Sequence, residues 1–108
     1  MAKPKKEPEV NEWRDIPGIP NYQASFDGDI RRVYKTTEPK LMKPYTKTYK
    51  KRWLHVKISN DGKQQDVAVH ILVGKAFYGE PPEGYCFHHV SADLKDNCVT
   101  NIKMISKS

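Results

Sequence analysis

Residues 52–59 alternate apolar and polar side chains and then stop at Asn60-Asp61-Gly62-Lys63. Consecutive strand residues point to opposite faces. Leu54, Val56 and Ile58 therefore share one face, and Trp53, His55 and Lys57 the other. A turn of that composition, followed by Gln65, Val67 and Val69 at the same period, sends the chain back antiparallel. A second signal lies upstream, where residues 23–26 and 29–34 flank Asp27-Gly28. Two hairpins commit the first two thirds of the chain to antiparallel sheet. The period then changes. Val69, Leu72, Val73, Ala76 and Phe77 follow helical spacing, although Gly74 costs about 1 kcal/mol relative to alanine. The run from Gly79 to Gly84, with Pro81 and Pro82, ends that helix. Residues 85–88 form a short strand, 89–100 a long loop and 102–105 a second strand. Residues 12–22 are turn-rich around Pro17, Gly18 and Pro20, with Trp13 and Ile16 docking on the core. Residues 36–50 are a basic connector broken by Pro39 and Pro44, and residues 1–11 a disordered leader rich in Lys, Glu and Pro. The fold class is α+β: a small N-terminal antiparallel sheet with a basic face, one helix, and a closing pair of strands.

A chain of 108 residues with 37% apolar content makes one domain with a modest core. No apolar run approaches the roughly 18 residues of a membrane span, and the N-terminus lacks the apolar stretch of a signal peptide. No membrane partner is expected, and a cytoplasmic location is. Cys86 and Cys98 are too few for a disulfide framework and are read as reduced thiols.

The net charge of +6 is unevenly spread. Residues 30–60 carry ten Lys or Arg against one acid, Glu38; residues 77–101 carry four acids and one Lys. Tyr34, Tyr45, Tyr49 and Trp53 are interleaved with the basic block. A solvated surface would also be basic, but this density with aromatics points to a nucleic acid. Arg31, Arg32, Lys35, Lys50, Lys51, Arg52 and Lys57 lie on or beside the predicted strands and are assigned to DNA phosphates, which position a protein without reading sequence.

His88 and His89 end the strand before the long loop, and Asn101 opens the strand after it. A neutral imidazole can hold a divalent ion or take a proton near neutral pH, and phosphodiester hydrolysis needs both functions. Asn101 is positioned to accept the proton on the far ring nitrogen of His89, which would leave the other nitrogen as a base. Two surface histidines beside a loop asparagine are the bland reading. Zinc held by Cys86, His88, His89 and Cys98 lacks the paired C-x₂₋₄-C spacing of structural sites. His70 reads as a packed or capping histidine, and Asp93 and Asn97 as turn formers.

Two segments resemble one family. Glu12-Trp13-Arg14-Asp15-Ile16-Pro17-Gly18, Asn21-Tyr22-Gln23-Ala24-Ser25 and Gly28-Asp29-Ile30-Arg31-Arg32 resemble the DNA-associated motif of phage HNH homing endonucleases. Val69-His70-Ile71-Leu72-Val73, Ala76-Phe77, Pro81 to Tyr85, His89, Asp96-Asn97 and Asn101-Ile102 resemble the HNH module itself. The resemblance implies a DNA-associated β region over 12–66 and an HNH-like module over 67–108. The module is a ββα-metal finger, incomplete here. By position, His89 resembles the general base and Asn101 the asparagine that orients it. The residue before the base, usually Asp or Asn in phage relatives, binds metal; here it is His88, as in colicin-type nucleases, which leans the site toward softer ions. In relatives a further ligand comes from a helix about two turns beyond the position of Asn101, and Ser108 falls where that helix would begin. The family implies Mg²⁺ or Mn²⁺ in preference to Zn²⁺, double-stranded DNA as partner, a monomer or weak dimer, nicking of one strand, and a phage protein acting inside a bacterial host. The rival expectation is a DNA-binding protein of HNH descent without catalysis.

Overall fold

A computed structural model of the chain describes residues 12–46, 53–60, 62–91 and 93–107. Residues 1–11 and Lys50, Lys51 and Arg52 fall outside them, so the leader and three of the assigned phosphate contacts have no structural account. Among the described residues, three antiparallel sheets surround one α-helix. The first sheet is β1 (Trp13–Ile16), β2 (Ile19–Ser25), β3 (Ile30–Arg32) and β4 (Lys40–Leu41), in that order. The second is β5 (Tyr45–Thr46), β6 (Leu54–Asn60) and β7 (Lys63–Ala68); the third pairs β8 (Tyr85–His89) with β9 (Ile102–Ser106). Helix α1 (Val69–Tyr78) lies between the last two. The expected α+β class holds. Both hairpins form at the predicted turns, and β6 and β7 pair from His55↔Ala68 to Asn60↔Lys63.

Three expectations change. Residues 12–22 are not only turn: Trp13–Ile16 hydrogen-bonds to β2, with Ile16 opposite Ile19 around Pro17-Gly18. Val69 begins α1 instead of ending β7. The connector contributes two short strands, Lys40–Leu41 and Tyr45–Thr46.

The core gathers one face from each element. Ile16, Tyr22, Ala24 and Ile30 come from the first sheet, Val56 and Ile58 from β6, and Val69, Leu72 and Val73 from α1. Phe87, Val99 and Ile102 close it from the C-terminal side. Full burial of an aliphatic side chain stabilises by about 1.5–3 kcal/mol, so this one shared cluster ties the three sheets together. Gly74 earns its place in the helix by contact. A Cβ there would stand 2.6 Å from the Phe87 ring, so β8 can approach α1 closely only over glycine. The Tyr78 hydroxyl, 2.8 Å from the Ile102 carbonyl oxygen and 3.0 Å from that of Val99, ties the end of α1 to the start of β9.

The hairpin turn between β2 and β3 does a second job. Gly28 adopts φ +99°, and a Cβ on it would fall 2.6 Å from the backbone carbonyl of Asn97. The Val99 amide donates to the Phe26 carbonyl at 2.9 Å. The loop between β8 and β9 therefore rests on the N-terminal hairpin.

Candidate active site

His88 and His89 sit at the end of β8, opposite Lys103 and Ile102 of β9. Alternation makes them unequal: His88 is exposed and His89 is buried. Immediately beyond His89 the Val90 amide donates to the Asn101 carbonyl at 2.7 Å. The chain then turns through a loop built from short polar bonds. Lys95 N–H donates to the Asp93 carboxylate at 3.1 Å, and Cys98 N–H to that of Asp96 at 3.2 Å. These are the local side-chain-to-backbone bonds that Asp favours in turns.

The two loop asparagines have exchanged the roles expected of them. Asn101, in a 3-10 turn at Val99–Asn101, does not orient His89. Its side-chain oxygen accepts from the Ser91 amide at 2.9 Å, and its amide nitrogen donates to the Asp96 carbonyl at 2.8 Å. Asn101 is a staple that closes the loop. The side chain bonded to His89 is Asn97, buried, with Oδ1 2.8 Å from Nε2. An amide oxygen can only accept, so Nε2 is the donor in this bond. The side chain that meets His89 is Asn97, where Asn101 was expected.

His70, the second residue of α1, packs its ring 4.5 Å from that of His89, centroid to centroid. Trp53 meets His70 edge-on at 6.5 Å and lies 6.2 Å from His55. All four histidines of the chain therefore influence one spot. Burial, then His89, His55 and His88 in turn, push the His70 pKa down to about 4, so its ring is neutral at neutral pH. Its Nδ1 is buried without a hydrogen-bond partner. His55, expected on the same face of β6 as Trp53 and Lys57, is buried, with the Trp53 ring 6.2 Å away. Residue type alone marked neither His70 nor Asn97 as part of this site. A histidine one residue into a helix whose stripe packs on β8 was the available signal for His70.

The donors present do not form a cage. Among the described residues no three His, Cys, Asp or Glu side chains gather to hold a metal. Cys86 and Cys98 are free thiols. His88 alone offers an exposed imidazole beside His89.

The assigned phosphate contacts do not form one surface. The Arg31 guanidinium lies 4.2 Å over the Trp13 ring, and its Nε donates to Gln23 at 2.9 Å. Gln23 in turn donates to Asp15 at 2.9 Å, a polar rail along the outer face of the first sheet. Arg32 pairs across from Tyr22 on the core side, 5.6 Å over that ring and 5.3 Å over Tyr34. Adjacent strand residues cannot share a face. Lys35 is exposed at a bend, and Lys57 is exposed but 3.9 Å from the Asp66 carboxylate. Asp66 also accepts the Tyr45 hydroxyl, whose pKa this bond, with burial and the carboxylate charge, pushes up to about 12.

No protein-family profile matches the chain, and no curated protein matches it. Among solved structures it is similar to the HNH homing endonuclease I-HmuI, described for its DNA binding and cleavage. The TM-score is 0.74 at 25% identity, over 89% of this chain and 53% of that one. This chain therefore spans about half the length of that neighbour. The α+β fold of the chain is thus that of an HNH-type endonuclease.

Proposed function

We propose that this chain is a metal-dependent DNA endonuclease of the HNH homing type, hydrolysing phosphodiester bonds with His89 as general base. The observation that carries the reading is the Asn97–His89 bond, which ties the Nε2 side of a buried imidazole at the end of a strand; in this reading Nδ1 is the free, basic nitrogen. Nδ1 takes a proton from water as that water attacks phosphorus, and the bond to the leaving oxygen breaks on the opposite side, inverting the phosphorus. A divalent ion, Mg²⁺ or Mn²⁺, supplies charge stabilisation on the phosphate and the leaving oxygen when bound. His88 would hold it together with water and the phosphate itself. A single imidazole holds Mg²⁺ weakly, because that ion gives up water reluctantly, and it favours the softer Mn²⁺. Asn101 acts through the loop and keeps Asn97 in place. Arg31, Lys35 and Lys57 meet phosphates of double-stranded DNA, and one site per chain nicks one strand.

A second reading is a DNA-binding protein without catalysis, favoured by the absence of a three-donor group among the described residues. Relaxation of supercoiled plasmid in Mg²⁺ or Mn²⁺, beside EDTA and His89→Ala, separates the two. Metal-dependent nicking lost with the substitution is expected. Salt-sensitive DNA binding with no nicking at any metal concentration would establish the second.

A further inference from the structure

A hollow of about 230 Å³ opens beside the two histidines, lined by Trp53, His70, Phe87, His88, His89 and Leu94. It is smaller than the roughly 300–1,000 Å³ of pockets for drug-sized ligands, so it suits a fragment of one nucleotide. Its chemistry is divided. Trp53, Phe87 and Leu94 are apolar, and His70 is a neutral ring. Among the described residues the lining includes no Lys or Arg, so a phosphate would lose water there without gaining a cation from them. The rim is polar, with exposed His88 beside it. His89 is shared between the two regions.

We infer that this hollow is a nucleoside subsite: it takes the base and sugar of the nucleotide next to the attacked phosphate, stacked on Trp53, while the phosphate stays at the His88–His89 rim. The inference rests on the nuclease reading and adds a substrate contact to it. Three observations choose this occupant. The net charge of +6, with ten Lys or Arg against one acid over residues 30–60, selects a polyanionic strand. The hollow is continuous with His89, so whatever fills it is adjacent to the reacting phosphorus. Trp53, Phe87 and His70 give it flat, uncharged ring walls, and every base has a π-face for them, so stacking needs no particular sequence. The subsite would draw one nucleotide out of the regular backbone path and fix the phosphate against Nδ1 of His89.

The chain has two tryptophans, so its indole N–H groups give two resolvable NMR signals, assigned with Trp53→Phe. The full chain is titrated with the tetranucleotide (dT)₄, with a tetramer of abasic tetrahydrofuran phosphates of equal charge, and with inorganic phosphate. The Trp53 signal is expected to move saturably with (dT)₄, about tenfold more tightly than with the abasic tetramer, and not with inorganic phosphate. Equal titration by the two tetramers, or movement of Trp13 alone, overturns the subsite. Plasmid nicking by the same preparation keeps the two readings apart. Nicking with no preference for (dT)₄ sinks the subsite and spares the nuclease. A base-dependent Trp53 shift without nicking does the reverse. The comparison of tetramers uses the unsubstituted protein, so it does not depend on a variant that folds.

Discussion

The first sheet and the C-terminal finger handle polar groups in opposite ways. In the sheet, cations stay half in water and lean on rings: Arg31 on Trp13, Arg32 on Tyr22 and Tyr34, Arg14 on Phe77. Such contacts are worth about 0.5–1 kcal/mol at exposed sites, and they stiffen a side chain without neutralising its charge. In the finger, His89, Asn97 and Asn101 are buried, and each has a hydrogen-bond partner. A surface that attracts DNA needs exposed charge. A base needs one defined tautomer in a dry setting. The contact between them is structural: Gly28 of the hairpin supports Asn97 of the loop.

Breaking that contact should have the largest effect. Gly28→Ala places a side chain at positive φ and against the Asn97 carbonyl, and we expect a loss on the order of 2–4 kcal/mol. Urea unfolding measures it; an unchanged midpoint would show that the two regions are independent. Asn97→Ala removes the His89 bond, worth about 1–3 kcal/mol, so nicking should slow by about 10–100-fold while DNA affinity stays level. An equal loss in binding would mean that Asn97 supports the whole loop and not the tautomer.

A smaller effect should appear with pH. His70 has its pKa lowered to about 4 from 6.5, so the unfolded chain binds more protons between those values. The neutral-ring stability is fully present above pH 6.5 and is lost as pH falls toward 4. His70→Phe should flatten that part of the urea-midpoint profile, and a profile with unchanged slope would assign the loss elsewhere. The smallest change belongs to the sheet. Arg31→Ala should weaken DNA binding about equally for all sequences and lower the salt slope by about 1. An unchanged slope would move the interface to another face.

Much of the fold was legible because turns and periods are local. Asp27-Gly28 and the turn after Asn60 located both hairpins, and the helical spacing from Val69 located α1. β1 was hidden because Pro17, Gly18 and Pro20 dominate its neighbourhood, while its partner strand is set by pairing that local composition does not show. The site was legible as a segment and not as a set of bonds. Asn97 and Asn101 lie four residues apart in one polar loop. Only the path of the backbone over the Phe26–Gly28 turn decides which of them reaches His89. His70 is marked by its place one residue into the helix, but only the tertiary packing of α1 on β8 brings it to His89. Arg31 and Arg32 were grouped as one surface although their adjacency already placed them on opposite faces.

The central claim is that the finger performs hydrolysis and the sheet recruits DNA. Its most direct measurement is plasmid nicking and DNA affinity, side by side, for the parent chain, His89→Ala and Arg31→Ala in Mn²⁺. A base contributes about 10²–10⁴-fold, so His89→Ala should nearly abolish nicking at parental affinity, whereas Arg31→Ala should lose affinity and still nick at saturating protein. Nicking by His89→Ala at the parental rate would contradict the account.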